Sequence, residues 1–464
     1  MNSAPVPSRT RSTLRCALLA ALLPLAAASQ AGAASDPALP GEVLVRLRSS
    51  AGLGPLLIKH QLSLAGQFGS RPIYRLRVAG LADSKDVVAA LLAEPGVLSA
   101  EPNFVHRSPE ARKNRAWAIG TRDAYTAQWA PTALRLGEAH QLTTGAGMRV
   151  AVLDTGVDRQ HAALSSRLLP GFDFVDFDLD PSESGSPADI AFGHGTHVAG
   201  LVALVAPGAK IMPLRVLDPE GRGNAWVLAE ALLYALDPDA NAGTDDGAHV
   251  INLSLGSYGR TRVLDSVALL ATCTMPAVVL EPADDFSDPG YNADKDRCGR
   301  FGGAVVVVAV GNDASDRVRQ YPAAEGVYGL LAVAASNAAS KLASFSNFGS
   351  WVDVAAPGEG LTSPVPGGGY GTWSGTSMAA PLAAGAAALV RGIEPRHDAA
   401  RRGPPPGAGQ RQAVRHQAAA GRCRSGLAQS GCGRQALPLS AARSFTKKAG
   451  CGRPPPAFSW PRFF

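Results

Sequence analysis

Met148-Arg-Val-Ala-Val-Leu-Asp154-Thr155-Gly156 is a near-continuous apolar run that ends on a carboxylate and a glycine turn. A half-buried strand would alternate apolar and polar residues. A strand with no polar face belongs to a parallel sheet covered on both sides. Lys210–Val216, His249–Leu255, Ala304–Val310 and Leu330–Ala335 have the same character. Trp226–Leu236 and Ser377–Arg391 between and after them read as helices. Residues 126–395 are therefore expected to form an α/β domain with a doubly wound, mostly parallel sheet. Such folds carry their sites at the carboxyl ends of the strands, where Asp154 stands. No internal repeat is visible.

Toward the N-terminus, residues 41–106 form a separate pattern. Glu42–Arg48 and Ile73–Val78 alternate as strands, and Val97–Val105 closes the unit as a third. Leu53–Ala65 and Lys85–Leu92 have helical spacing, and a short strand is expected near Gly66–Ser70. This predicts a small α+β domain with helices on one face of an antiparallel sheet. Residues 107–125 are polar and read as an exposed linker where cleavage is easy. Arg9, Arg11 and Arg15 precede an apolar stretch, Cys16–Ala28, and a small-residue context near Ala33 and Ala34. That is the pattern of an export signal over 1–34, and the apolar stretch is shorter than the ~20 residues a bilayer span needs. The resulting division is 1–34 signal, 35–106 small domain, 107–125 linker, 126–395 main domain and 396–464 tail.

The formal net charge of +6 is unevenly distributed. From residue 401 onward there are 12 Lys and Arg and no Asp or Glu, which leaves 32 basic and 38 acidic residues before it. The body is mildly acidic, so whole-chain charge gives no reason to expect a nucleic-acid partner. In the tail the apolar periodicity stops, and Arg401-Arg-Gly-Pro-Pro-Pro-Gly407 has no place inside a helix. Disorder is the expectation there. Two origins stay open: a genuine basic tail, or a shifted reading frame, whose product would keep its motifs but fold poorly. Of six cysteines, Cys273 and Cys298 are the two in the body. An oxidising compartment predicts that they pair, two separate thiols being the other reading.

Three segments carry chemistry. Asp154 ends its strand. His194 lies in Gly193-His-Gly-Thr-His-Val-Ala-Gly200, where glycines let other chains approach the ring. Ser377 lies in Ser374-Gly-Thr-Ser-Met-Ala-Ala-Pro381, after a glycine-bearing turn and at the start of a helix. A zinc site built on His194 and His197 lacks the Glu of the His-Glu-x-x-His helix, and His197 reads as a buried structural residue. An α/β-hydrolase elbow would need glycine where Ala379 stands.

In order and spacing these blocks resemble the active-site blocks of the subtilases, and the resemblance covers nearly all of 41–395. It implies a subtilisin-like serine endopeptidase with Asp154, His194 and Ser377 as its triad, acting through an acyl-enzyme. Val305-Val-Val-Val-Ala-Val-Gly-Asn312 resembles the strand and turn that carry the family's oxyanion-hole asparagine, here Asn312. Ser254, Leu255 and Gly256, with Ala309, Val310 and Gly311, resemble the segments that bind an extended peptide substrate. Glu101-Pro-Asn-Phe-Val105 resembles the last strand of subtilase propeptides, which implies that 35–106 is an intramolecular inhibitor and that the chain is a zymogen. The signal pattern implies secretion, no other segment is long and apolar enough to span a membrane, and a monomer with no required cofactor is expected. Asp176, Asp178 and Asp180, with Asp173 before them, alternate on a loop where some subtilases bind structural Ca²⁺. One departure is Leu382, where relatives usually carry His; only packing consequences are expected from it.

Overall fold

The computed structural model describes residues 37–80, 84–109, 120–273, 297–327 and 329–393. The expected signal (1–34) and basic tail (396–464) lie outside these residues, as does most of the expected linker.

The small N-terminal unit contains β1 (Ala38–Leu47), α1 (Leu53–Lys59), β2 (Leu62–Gln67), β3 (Ile73–Val78), α2 (Ser84–Leu92) and β4 (Val97–Arg107). Val43, Val45 and Leu47 of β1 pack with Leu56 and Leu91 of the two helices in one core. The expected helix over 53–65 is shorter than its spacing suggests. It stops at Lys59, Gln61 adopts a left-handed backbone (φ 52°), and Leu62–Gln67 pairs with β3 instead. The strand expected at 66–70 therefore lies several residues earlier. Alternation in β1 also hides a second buried face. Leu44, with Phe68 and Ile73, joins the core around Trp226, and Phe68 meets the Trp226 ring edge-on at 5.8 Å.

The main unit opens with three short helices, α3 (Arg122–Thr126), α4 (Trp129–Ala133) and α5 (Leu136–Leu142). Its sheet strands are β5 (Arg149–Asp154), β6 (Phe172–Asp173), β7 (Lys210–Arg215), β9 (Val250–Leu253), β10 (Val305–Ala309), β11 (Leu330–Ser336) and β12 (Val354–Pro357). They pair in the order β12-β11-β10-β9-β5-β7-β6, and every pairing is parallel. Helices α6 (His194–Val205) and α9 (Thr376–Ile393) cover one face; α7 (Ala225–Leu236) and α8 (Arg262–Ala271) cover the other. This is the doubly wound sheet expected from the sequence. β8 (Arg222–Asn224) lies outside it, and β13 (Leu361–Val365) and β14 (Gly369–Trp373) form a hairpin before α9.

The order reverses between β5 and β9. The chain leaves β5 toward β7 and returns beside β5 as β9, so the loops after these strands diverge and open a crevice. Asp154 ends β5 and Ser254 follows β9 at that crevice. Cys273, just past α8, is bonded to Cys298, the two lying 25 positions apart. Leu382 is fully buried in the core that α9 shares with α6.

Candidate active site

Asp154 and His194 reach each other because two glycines permit it. Gly156 turns the chain after β5 with φ +108°, and Gly193 starts α6 with φ +83°. A Cβ on Gly195 would lie 2.1 Å from the Gly156 carbonyl oxygen, so only glycine lets α6 dock on the Asp154 turn. His194 Nδ1 then donates to Asp154 Oδ1 at 2.6 Å, with both side chains buried. The Thr155 amide also donates to Oδ1, at 2.8 Å. With its Nδ1 proton held by Asp154, the neutral ring presents Nε2 as its acceptor.

Ser377 is placed by the N-terminus of α9. Its hydroxyl donates to the Ser254 carbonyl at 3.2 Å, and the Ser254 hydroxyl donates back to the Ser377 carbonyl at 2.9 Å. Asn252 Nδ2 donates to the Ser254 hydroxyl at 3.0 Å. The orientation of Asn312 follows from its partners. Its amide oxygen accepts from Thr376 N at 2.9 Å and from the Thr376 hydroxyl at 3.0 Å. A backbone N–H can only donate, so the atom facing Thr376 is the oxygen and the NH₂ points the other way, as a donor. The Thr376 hydroxyl in turn accepts from Gly311 N at 3.1 Å.

The other sequence-predicted residues have distinct positions. Leu255, Ala309 and Val310 are buried, and the Ser254 hydroxyl is engaged with Ser377 and Asn252. Gly256 exchanges two 2.9 Å backbone hydrogen bonds with Arg107 of the chain's own β4. His197 is structural: its Nε2 faces the Leu361 and Gly371 carbonyls at 3.2 Å, and its ring stacks on Trp373 at 4.5 Å. The carboxylates of the acidic loop have hydrogen-bond and ion-pair partners within the chain. Arg215 Nη1 binds Asp173 at 2.5 Å and also Asp176, while Arg159 Nη1 binds Asp180 at 3.0 Å. Asp178 accepts the Asp180 amide at 2.8 Å. Asp173, Asp176 and Asp180 are thus paired with guanidinium groups. Among the described residues, the acidic trio whose oxygens lie within 4.8 Å of one another is Asp237, Asp239 and Asp246.

Two features escaped the sequence reading. One is the edge Gly221–Asn224, which offers no motif, being a turn and a short strand; it faces β4 opposite Gly256. The other is Glu183, whose carboxylate lies beside the Asp154–His194 pair. Burial pushes its pKa up to about 7 against the Thr155 and Thr196 hydrogen bonds, and the Asp154 charge adds to the rise.

A buried Asp–His pair and a serine at a helix N-terminus, set at the crevice of a doubly wound sheet, define a serine hydrolase of α/β architecture. The comparisons carry this further. The family model Peptidase_S8, "Subtilase family", matches residues 145–429. A thermophilic serine proteinase of Bacillus sp. (strain AK1) is 35% identical over 68% of this chain and 68% of its own length. An extracellular protease of Xanthomonas campestris pv. campestris is 32% identical over 69% of this chain, which spans 56% of that relative. The crystal structure of fervidolysin from Fervidobacterium pennivorans, a keratinolytic enzyme related to subtilisin, superposes with a TM-score of 0.55 at 24% identity. It covers 76% of this chain and 55% of that one. The chain belongs to the subtilase family and is a serine endopeptidase with the subtilisin-like fold.

Proposed function

We propose that this endopeptidase is exported as a zymogen and cleaves peptide bonds with Ser377 as nucleophile, His194 as base and Asp154 as its orienting partner. The observation that carries the reading is the buried 2.6 Å His194–Asp154 bond at the sheet crevice. A serine hydroxyl is a weak nucleophile until a base accepts its proton. His194 Nε2 takes that proton as Ser377 Oγ attacks the substrate carbonyl, then delivers it to the leaving amine, leaving an acyl-enzyme that water hydrolyses. Asp154 holds the tautomer and stabilises the imidazolium. The Asn312 NH₂, turned away from Thr376, donates to the oxygen that becomes negative, together with the Ser377 N–H. No cofactor enters this chemistry.

The zymogen reading is supported by what lies along Gly256. β4 passes between two edges: Val105, His106 and Arg107 pair with Asn224, Gly223 and Arg222 on one side, and Arg107 pairs with Gly256 on the other. Ser108 N continues the ladder to the Gly221 carbonyl at 3.0 Å. An extended segment hydrogen-bonded along both edges is how a peptide substrate adds to a sheet. The small domain is accordingly an inhibitor that leads its own chain through the cleft, and processing falls within 107–125. The name of the Xanthomonas relative, an extracellular protease, supports export.

The test is expression with and without Ser377→Ala. The unaltered protein is expected to shorten itself and react with a serine-directed phosphonate; the variant should remain full length and unlabelled. Normal shortening of purified Ser377→Ala would overturn the assignment.

A further inference from the structure

We infer that Glu183 is a positioning residue of this active site, holding the Thr155 and Thr196 hydroxyls in the orientation that fixes Asp154 and His194 relative to each other. The inference rests on the catalytic reading above and extends it beyond the triad. Asp154 and His194 come from elements 40 positions apart in the chain, so their alignment depends on what ties the two turns together.

Two reciprocal bridges do so. Thr155, next to Asp154, accepts at its hydroxyl from Gly195 N on the histidine side at 2.9 Å. Thr196, two residues past His194, accepts at its hydroxyl from Asp158 N on the aspartate side, also at 2.9 Å. A hydroxyl that accepts one bond can still rotate, and its direction is set by whatever receives its own proton. Here both protons go to one carboxylate. Thr155 donates to Glu183 Oε1 at 2.5 Å and Thr196 to Oε2 at 2.8 Å, with Thr196 N adding a third bond at 3.2 Å. The backbone beside Glu183 is pinned to the same turn, because Val157 pairs with Ser182 and a Cβ on Gly156 would lie 2.6 Å from the Ser182 oxygen. The carboxylate therefore closes a clamp whose two jaws are the Asp154 and His194 turns.

Carboxylate chemistry is needed here. Both oxygens accept, whereas the amide of glutamine would turn an NH₂ toward one of the two threonines. A group that only braced its loop would change how much protein folds. A group that positions the triad changes turnover in molecules that are folded and reactive.

The experiment is steady-state kinetics on a chromogenic peptide for the wild type, Glu183→Gln, Thr155→Val and the double variant. Each kcat is divided by the concentration of active sites titrated with a serine-directed burst reagent. Glu183→Gln is expected to lower kcat per titrated site about tenfold, and up to about a hundredfold if the ring shifts by an ångström, with KM unchanged. Thr155→Val should fall by a similar factor, and the double variant should be no worse than the poorer single, because both break one bridge. A kcat per site within twofold of wild type for Glu183→Gln overturns the inference, as does a double variant whose losses multiply. A wild type with no burst at all would instead strike the triad assignment, so the two failures are distinguishable.

Discussion

The two sheets of this protein complete themselves in different ways. In the seven-stranded sheet every strand comes from the span Arg149–Pro357, and helices from the main unit cover both faces. The small sheet runs β2-β3-β1-β4-β8, and its last strand belongs to the main unit. Its second face is likewise closed by Trp226 and neighbours on α7. Even its polar residues look outward: Glu101 accepts from Arg262 N at 2.7 Å and Val263 N at 3.0 Å, capping α8, and Asn103 accepts from Trp226 N at 3.3 Å in the first turn of α7. One sheet is a scaffold complete in itself. The other has an edge strand, a face and two helix-capping side chains whose partners lie in the main unit.

The two halves should therefore respond to different damage. The largest effect expected is on the scaffold. Opening Cys273–Cys298, which lie 25 positions apart, should cost the peptidase about 3 kcal/mol of loop-closure entropy in the unfolded chain. Denaturant unfolding of the Cys273→Ser/Cys298→Ser variant checks this. Affinity for the small domain should stay unchanged, and a parallel loss of both would blur the distinction. Next comes the dock. Glu101→Ala leaves the Arg262 and Val263 N–H groups without their carboxylate. Binding of a separately made 35–109 segment to the Ser377→Ala peptidase should weaken by about 2 kcal/mol, roughly thirtyfold in Kd. Calorimetry measures it, and an unchanged Kd would mean that water caps α8 equally well.

The contrast also explains what could be read from the sequence. β5, β7, β9, β10 and β11 were legible because burial on both faces leaves an apolar run with no other use. Asp154, His194, Ser377 and Asn312 stood out because glycines flank each block. The small sheet was legible as strands, but its second buried face was not: Leu44 alternates as solvent-facing residues do, and its partner Trp226 lies far along the chain. Helix α1 was overread because the turn at Gln61 needs a left-handed residue, and glutamine gives no signal for one. In the acidic loop the carboxylate spacing is visible in the sequence, but the pairing of Asp173 with Arg215, which follows from β6 lying beside β7, is not. Glu183 was invisible for the same reason: its meaning lies in two threonines from other segments.

The finest test of the dock is its pH dependence, because two buried groups in β4 pull in opposite directions. His106 pairs opposite Gly223, and both of its ring nitrogens are buried without hydrogen-bond partners among the described residues. Burial lowers its pKa from 6.5 to about 3. The free segment therefore binds a proton that the docked one refuses, and docking weakens as pH falls from 6.5 toward 3. Glu101 has the reverse sign. Burial, with the Asp265 charge adding, raises its pKa from 4.5 to about 7 against the Arg262 and Val263 N–H bonds. The docked form takes up that proton first, so docking strengthens as pH falls from 7 to 4.5 and is constant below. Each effect alone is worth about tenfold in Kd per pH unit within its window. The wild-type segment should accordingly show nearly constant affinity between pH 6.5 and 4.5, then lose about tenfold per unit down to pH 3. Glu101→Gln removes the counterweight, so its weakening should begin at pH 6.5, while His106→Leu should tighten from pH 7 to 4.5 and then level off. Fluorescence anisotropy of labelled 35–109 against the Ser377→Ala peptidase across this range separates the three curves. Parallel slopes for the wild type and Glu101→Gln would show that the Glu101 carboxyl does not take up a proton on docking.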